Sequence, residues 1–493
     1  MSDLCLIIPP SPFLIDERVF PFLGVLKVAS SALADGVNVE VLDLSGVENY
    51  SDILLQYIKL RTPDLFGITC TTAQYPYAAE LGLIIQQTCQ VPVAVGGPHP
   101  TVTHAAIKTA GKGLDRAKMA MKSLLDIFDI VVAGDGEVAI RELMASDLHR
   151  REQALVVDAD EPKGGLFLDK KELDNWPIPE RKLLDLSTYN YDIDGKRATS
   201  LISQLGCPFN CQFCCGRSSA MLRRARMRSS DSVMSEVRHL YETYGYTGYM
   251  FYDDELNVNK DLTGLMEKLY DYQQSIGEAF ALRGFLKSEL FTARQAEVMA
   301  RAGFSWILIG FEAGSERILK NINKRATRDD NSKAIATAKR FGIKTKALMS
   351  VGHPGESLET VAASKEWLLE AQPEDFDVSI ITPYPGSPYY DESEYDQGIW
   401  KYTAKSGDIL YSEHVDYQST ADYYKGDPGD GYKSYVSTTS LTKEMMVEAR
   451  DEIEFDVRRE LNITFPSKGT KTSVNVEGTD LLATRRVYNR IQA

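Results

Sequence analysis

Residues 206–218, GCPFNCQFCCGRS, hold four of the chain's seven cysteines within nine positions. Clustered thiols serve four chemistries: a disulfide, a structural zinc site, a redox pair and an iron–sulfur cluster. Cys207, Cys211 and Cys214 are spaced C-x3-C-x2-C, directly after the apolar run SLISQLG. Structural zinc wants four ligands. Cys215 is the obvious fourth, but adjacent residues rarely coordinate one metal, and no second C-x2-C or nearby His completes the set. A redox C-x-x-C would use Cys211 and Cys214 at a helix start and leave Cys207 without a role. Three thiolates on a [4Fe–4S] cube leave one iron open, and an open iron can bind a substrate. The spacing favours the cluster, with zinc and a redox pair as the alternatives.

A loop of this kind needs a scaffold, and 493 residues suffice for two or three domains, each with its own core. The start, MSDLCLIIPP, lacks the basic and apolar regions of a secretory signal. No apolar stretch reaches bilayer-spanning length. The expectation is a cytoplasmic protein without membrane contact, in a compartment where thiols stay reduced and disulfides are disfavoured. Seventy acidic and 55 basic side chains leave a net charge of −15, which argues against nucleic acid as a partner. The one basic run, Arg223-Arg224-Ala225-Arg226-Met227-Arg228, is short and reads as a solvated helix start.

The expected fold class is α/β. Residues 1–150 alternate Val- and Ile-rich runs (LCLII, VNVEVLDL, LFGITC, VPVAVGG, IVVAG) with helical stretches. Five such units predict a doubly wound parallel sheet with its ligand site at the carboxyl ends of the strands. The loops there are PPSP, CTTAQYPY, GGPHPT and GDGE, and none is a G-x-G-x-x-G nicotinamide fingerprint. Gly96-Gly97 and Gly134/Gly136 either admit something large and flat or make tight turns, and taken alone the pairs favour turns. Residues 151–195 read as a connector, with EPKGG as a turn between two short strands. Six further strand–helix units over 196–390 predict an open (β/α)6 barrel with chemistry at its strand ends. Residues 391–493 form a mixed segment with one clear helix, LTKEMMVEARDEIEFDVRREL.

C-x3-C-x-Phe-C after the first strand of a βα barrel resembles the signature of radical S-adenosylmethionine (SAM) enzymes. The resemblance implies that Cys207, Cys211 and Cys214 ligate a [4Fe–4S] cluster whose open iron chelates SAM. An electron from the cluster then cleaves the sulfonium to a 5′-deoxyadenosyl radical. Phe213 would neighbour the adenine, and Cys215 is extra, either a spare buried thiol or a hydrogen donor. FYDDE, with Asp253 and Asp254, resembles the strand end facing the methionine amino group. RGFLKSEL and IGFEAGSERILKNINK place Ser288 and Glu312 at the ribose or methionine end. GHPGES and TPYPGSP, with Gly352, Glu356, Thr382 and Pro383, resemble the adenine side.

The first 150 residues resemble the cobalamin-binding domain fused in front of many radical SAM enzymes. The matching stretches are GITCTT, VGGPHPT and VVAGDGE, which nominate Thr71, Thr72, Gly96, Gly97, Pro98, His99, Gly134 and Glu137. No D-x-H-x-x-G is present and no His precedes His99, so the resemblance implies base-off cobalamin without a His ligand. It further implies a flavodoxin- or ferredoxin-type electron donor and, most readily, C-methylation, in which one SAM methylates cobalt and a second makes the radical. Cobalamin-independent dehydration, epimerisation or rearrangement is the alternative, and a non-catalytic iron–sulfur protein is poorly motivated. The family includes many enzymes of antibiotic and pigment assembly.

Eleven of the 25 tyrosines lie between 384 and 435, and residues 391–430 carry ten acids against three lysines. Such a segment could cap the barrel mouth and hold a small polar metabolite, an amino sugar or other natural-product scaffold. Its tyrosines could equally pack on the barrel, leaving a solvated acidic surface.

Overall fold

The computed structural model describes residues 3–465, apart from 110, 112–113, 151, 425 and 427, together with residues 488–489. Strands β1 (Asp3–Ile8), β2 (Asn38–Asp43), β3 (Leu65–Thr69), β4 (Val93–Gly96), β5 (Ile130–Gly134) and β6 (Leu155–Ala159) form one parallel sheet in the order β2-β1-β3-β4-β5-β6. Helices α1 (Leu23–Ala34), α2 (Tyr50–Leu60), α3 (Tyr75–Thr88), α4 (Pro98–Thr109), α5 (Leu114–Leu125) and α6 (Gly136–Met144) lie between them. The sheet has a separate apolar cluster on each face, so its central strands are apolar throughout rather than alternating. The sixth strand falls inside the stretch expected to be a connector. LVVDA is short and half-buried along an edge, which hides the signal of a sheet strand, yet it pairs with β5 from Ile130↔Leu155 to Gly134↔Ala159. No strand follows the EPKGG turn; the chain runs into α7 (Lys170–Asp174).

Next, β7 (Asp192–Ile193) pairs antiparallel with β8 (Lys196–Leu201). A two-rung ladder of β9 (Gln204–Leu205) and β10 (Arg226–Met227) then closes the base of the cysteine loop, which contains α8 (Ala220–Arg223). The barrel continues as α9 (Ser230–Tyr244), β11 (Gly248–Phe251), α10 (Leu262–Ile276), β12 (Ala281–Leu286), α11 (Ala293–Arg301) and β13 (Phe304–Glu312). It ends with α12 (Glu316–Asn321), α13 (Arg328–Arg340), β14 (Lys344–Val351), α14 (Leu358–Ala371) and β15 (Asp375–Ile380). Sheet order β15-β14-β13-β12-β11-β8-β7 makes the open barrel of six parallel strands expected from sequence. Helix starts here carry side-chain caps: Ser229, Thr292, Thr327 and Ser357 each accept a backbone N–H of the first turn.

The C-terminal segment comprises α15 (Pro388–Asp391), an antiparallel sheet of β16 (Glu394–Asp396), β17 (Ile399–Thr403), β18 (Ile409–Ser412) and β19 (Val436–Thr438), and α16 (Lys443–Leu461). A two-residue strand, β20 (Tyr488–Asn489), extends the first sheet beside β2. Most of the tail's tyrosines are core, with Tyr395 left exposed. Tyr389, Tyr402 and Tyr432 join the barrel cluster, whereas Tyr390, Tyr417 and Tyr423 join the cluster on one face of the first sheet. Ion pairs join its Asp396 to Lys401, Asp408 to Arg317, Asp422 to Lys433 and Glu413 to Lys443. The segment therefore cements the two domains together. Among the described residues no helix is long and apolar enough to cross a membrane.

The basic run is not solvated either. Arg226 is buried against Asp135, and Arg228 pairs with Glu236, leaving Arg224 as its one exposed member. The expectation missed this because the compensating carboxylates are distant in sequence.

Candidate functional site

The cysteine loop leaves β9 through Gly206, whose φ is +84° and whose hypothetical Cβ would lie 2.2 Å from the Arg224 carbonyl oxygen. Only glycine fits there. Backbone bonds then set the loop: Gly206 N donates to Asp254 (2.6 Å), Cys207 N to the Leu222 carbonyl (2.9 Å), and Gln212 N to the Ile322 carbonyl (2.9 Å). The Asn323 amide holds the Asn210 carbonyl at 2.9 Å, and the Tyr402 hydroxyl donates to Gln212 at 3.1 Å. All seven cysteines are free, so no disulfide competes for the loop. No group of three or more His, Cys, Asp or Glu among the described residues closes around a single ion. Burial pushes Cys207 up to about 12 and Cys211 in the same direction, the latter opposed by Lys324 and Lys287. Iron binding must therefore displace protons, which couples cluster assembly to pH. Gly206→Ala is expected to force the loop off Arg224 and cut the iron bound per chain well below wild type under identical anaerobic reconstitution.

Beside the loop lies a buried charged group. Lys324 Nζ sits 2.9 Å from Glu312 Oε1, and Ser350 Oγ donates to Glu312 Oε2 at 2.9 Å. Lys287 Nζ bonds the Lys324 carbonyl (2.9 Å) and Glu289 (2.7 Å) and covers the Phe209 ring at 4.5 Å. Burial opposes ionisation of Glu312, but Lys324 outweighs it and holds the carboxyl below its usual range. Glu312 also takes a left-handed backbone, φ +67°, at a bulge where β13 leaves β14; non-glycine strain of this kind gathers at functional sites. Since Ser350 gives its one proton to Glu312, its oxygen accepts from His353 Nε2 (2.8 Å). His353 Nδ1 then accepts from the Tyr389 hydroxyl (3.2 Å). Burial lowers His353 to about 4, so the imidazole is neutral in this relay. Glu255 and Glu289 each keep one buried carboxylate oxygen without a hydrogen-bond partner, and burial raises Glu255 to about 7. Unpaired buried carboxylate oxygens next to the cysteines suit a cationic ligand, as the amino and sulfonium groups of SAM would be.

A cavity of about 280 Å³ opens between the carboxyl ends of the first sheet and the cysteine loop. Its floor is apolar and small-residued, with Leu6, Val25, Gly67, Ala94 and Val132. Polar groups line the rim: Thr69, Lys27 paired with Glu137, Asp135 paired with Arg226, and Asp254. Its volume admits part of a corrinoid rather than all of it. Glycines 96, 97, 134 and 136 line the space, so backbone can approach a large flat group. Gly134 serves a turn as well, because at φ +103° its hypothetical Cβ would lie 2.2 Å from the Ala159 carbonyl carbon. The lining suits a cofactor with an apolar body and amide-rich periphery.

The nominated residues divide clearly. Gly96, Gly97, Pro98, Gly134 and Glu137 line the cavity. Thr71 bonds Gln74 within its own loop, and Thr72 and His99 turn towards the C-terminal segment: Thr72 Oγ1 lies 3.1 Å from His99 Nδ1, and the Thr72 carbonyl accepts from Tyr423. His99 stacks on Tyr75 at 4.5 Å, and burial lowers it to about 3. Asp253 Oδ1 accepts from the Ser203 and Gln204 N–H groups and Oδ2 from the Ser203 hydroxyl, so it shapes the turn after β8. Asp254 bonds Gly206 and faces the inter-domain cavity. The third acid of FYDDE, Glu255, is the one with an oxygen to offer. Ser288 is likewise turned away, its hydroxyl on Asn331 of α13 (2.7 Å), while its neighbour Lys287 faces the loop. Glu356 accepts from the Gly352 and His353 N–H groups and from Thr360, shaping the turn after β14. Thr382 is buried and the Pro383 carbonyl accepts from Tyr417, so this pair supports the barrel rim. Phe213 packs 5.4 Å from the His353 ring. Cys215 begins a short 3-10 turn under Gly386, and burial raises its thiol to about 11, as suits a packed cysteine. Sequence reading missed Glu255, Lys287, Glu289, Lys324 and His353. The alternation of side chains across a strand end was the available signal for Lys287 over Ser288.

Residues 201–368 match the radical SAM superfamily, and residues 18–144 match the B12 binding domain. An uncharacterized methyltransferase of Pyrococcus horikoshii is 28% identical over 398 residues, 78% of this chain and 82% of that one. The anaerobic magnesium-protoporphyrin IX monomethyl ester cyclase of Rubrivivax gelatinosus is 24% identical over 381 residues, 75% of this chain and 64% of that one. Among solved structures, the radical SAM methyltransferase TsrM from Kitasatospora setae, with cobalamin and a [4Fe–4S] cluster bound, superposes with a TM-score of 0.63. It is 18% identical, with 96% of this chain and 94% of that one covered, which establishes a shared fold. Cysteine loop, buried carboxylates, inter-domain cavity and family matches agree: the chain belongs to the radical SAM superfamily, in the class that carries a cobalamin-binding domain in front of the barrel.

Proposed function

We propose that this radical SAM enzyme uses cobalamin to methylate a carbon of a small polar metabolite of natural-product or amino-sugar type, in the cytoplasm, with a flavodoxin- or ferredoxin-type reductant. The observation that carries the reading is the shared wall: the cavity at the strand ends of the cobalamin-binding domain is bounded by the same loop that presents Cys207, Cys211 and Cys214. When bound, the cluster supplies the electron that cleaves SAM, and cobalamin carries the methyl group. The chain's own residues do the rest. Cys207, Cys211 and Cys214 would hold the cluster through three of its irons, leaving the fourth free for SAM. Glu255 and Glu289 receive its cationic groups, and Glu312 with Lys324 orients its ribose and carboxylate end. His353 and Tyr389 brace Glu312 through Ser350. Gly96, Gly97 and Gly134 let the corrinoid approach the backbone, while Glu137 and Asp135 meet its polar periphery.

A small substrate accords with the net charge of −15 and with the absorption of Arg226 and Arg228 into ion pairs, which removes the basic run as a polyanion surface. Because the tail's tyrosines are packed, recognition falls to the barrel mouth rather than to a free aromatic platform. The cyclase relative motivates a second reading, a cobalamin-assisted or cobalamin-independent radical reaction without methyl transfer. Anaerobic incubation with SAM, reductant, hydroxocobalamin and candidate metabolites separates the two. Methylation yields S-adenosylhomocysteine and a product heavier by one methylene, and substrate deuterium appears in 5′-deoxyadenosine. Deoxyadenosine formed with a rearranged, unmethylated product would establish the second reading, and deuterium arriving only from a macromolecule would exclude a small substrate.

A further inference from the structure

Two carboxylates of the cobalamin-binding domain reach across the domain boundary to the segment that follows the cysteines. Asp160, directly after β6, is 2% exposed. Its Oδ1 accepts from the Ser219 hydroxyl (2.7 Å) and the Met221 N–H (2.6 Å), and its Oδ2 accepts from the Ala220 N–H (3.2 Å). Asp135, directly after β5, grips Arg226 in a forked pair of 2.5 and 3.1 Å, and Arg226 in turn binds the Met221 and Leu168 carbonyls. Asp135 stands at the N-cap of α6 yet makes no capping bond with its side chain. An aspartate at that position ordinarily caps its own helix. Here the carboxylate serves the other domain instead.

The clamped segment has two faces. Met221, Leu222 and Arg226 line the inter-domain cavity, as do Gly206 and Asp254. The Leu222 carbonyl accepts the N–H of Cys207, and the Gly206 N–H donates to Asp254. One stretch of chain is thus a wall of the cavity and the backbone support of a cysteine expected to ligate iron.

We propose that Asp160, together with the Asp135–Arg226 pair, is a positioning device that couples corrinoid binding in the cavity to cluster assembly on the loop. This rests on the reading of the cavity as the corrinoid site. Either cofactor needs residues 219–226 in the clamped arrangement, so whichever binds first bears the ordering cost and the second binds more tightly. By linkage, the enhancement is the same in both directions.

The experiment titrates hydroxocobalamin anaerobically into the full chain, cluster-free and with the oxidised cluster reconstituted, following corrin absorbance. Binding should be at least about fivefold tighter in the reconstituted protein, the lower end of ordinary couplings. In the reverse direction, hydroxocobalamin should slow loss of iron from the reconstituted protein to a chelator. Asp160→Ala and Arg226→Gln should widen the affinity ratio, because the first cofactor then bears a larger share of the ordering cost, whereas a role unconnected with that ordering would shift both affinities together and keep the ratio. Equal affinities in the wild-type chain, or a wild-type ratio in both variants, would overturn the proposal. Should a variant fail to fold, the wild-type ratio and the chelator rates decide by themselves. No hydroxocobalamin binding in either form would overturn the cofactor reading along with this one.

Discussion

Replacing any one of Cys207, Cys211 and Cys214 with Ala is expected to abolish both the [4Fe–4S] cluster and SAM cleavage, whereas Cys215→Ala retains them. The wild-type chain, reconstituted anaerobically, should bind about four irons and release 5′-deoxyadenosine once reduced. The difference between neighbours follows from their surroundings. Cys207 and Cys211 lie on a loop held at Gly206, Asn210 and Gln212 by Asp254, Asn323 and the Ile322 carbonyl. Cys215 instead opens a short 3-10 turn packed beneath Gly386, where a single added Cβ would come within 2.5 Å of its carbonyl oxygen. Two of three thiolates cannot hold the cube with one iron still open to SAM, so loss should be complete rather than graded. Iron analysis and deoxyadenosine release check both halves. A cluster lost in Cys215→Ala but kept in one of the other three would reverse the ligand assignment.

Glu312→Ala is expected to cost about 3–5 kcal/mol of stability, the usual penalty for leaving one member of a buried ion pair uncompensated. Lys324 Nζ, 2.9 Å away, would lose its counter-charge, and Ser350 would lose the acceptor that fixes the His353 tautomer. Glu312→Gln keeps one acceptor oxygen for Lys324 but turns an amide N–H2 towards Ser350 and lacks the charge, so it should fall between wild type and Ala. Urea unfolding followed by tryptophan fluorescence reads the effect, with Trp306 on β13 and the buried Trp367 on α14 as reporters. SAM affinity by equilibrium dialysis should drop in both variants, further in Ala. Stability within about 0.5 kcal/mol of wild type in Glu312→Ala, the range of an ordinary surface change, would mean that Lys324 has another source of compensation.

Both sheets were legible because parallel strands buried on two faces are written as runs of Val, Ile and Leu, and four of the barrel's helices begin at Ser or Thr caps. What escaped was structure whose cause is remote. The edge strand Leu155–Ala159 carries too little apolar sequence to declare itself, and pairing with β5 decides it. The basic run looked solvated until Asp135 and Glu236, distant in the chain, came into contact with Arg226 and Arg228. Most of the tail's tyrosines, open to a substrate role by composition, fill the clusters of both domains.

The sequence by itself determined the cysteine spacing, the order of the two α/β units and the glycines at their strand ends. Each of these is a local property: a spacing within one loop, a run within one strand, a residue that alone tolerates positive φ. Only the tertiary structure decided which side chain of each strand end faces the loop. Asp253, Asp254 and Glu255 are consecutive acids of similar chemistry. Yet one shapes a turn, one holds Gly206 at the cavity wall, and one keeps an unpaired oxygen beside the cysteines. Their roles differ because a strand end projects successive side chains in different directions. What each meets there is supplied by residues far away in the chain, through burial and hydrogen bonding that the sequence does not spell out.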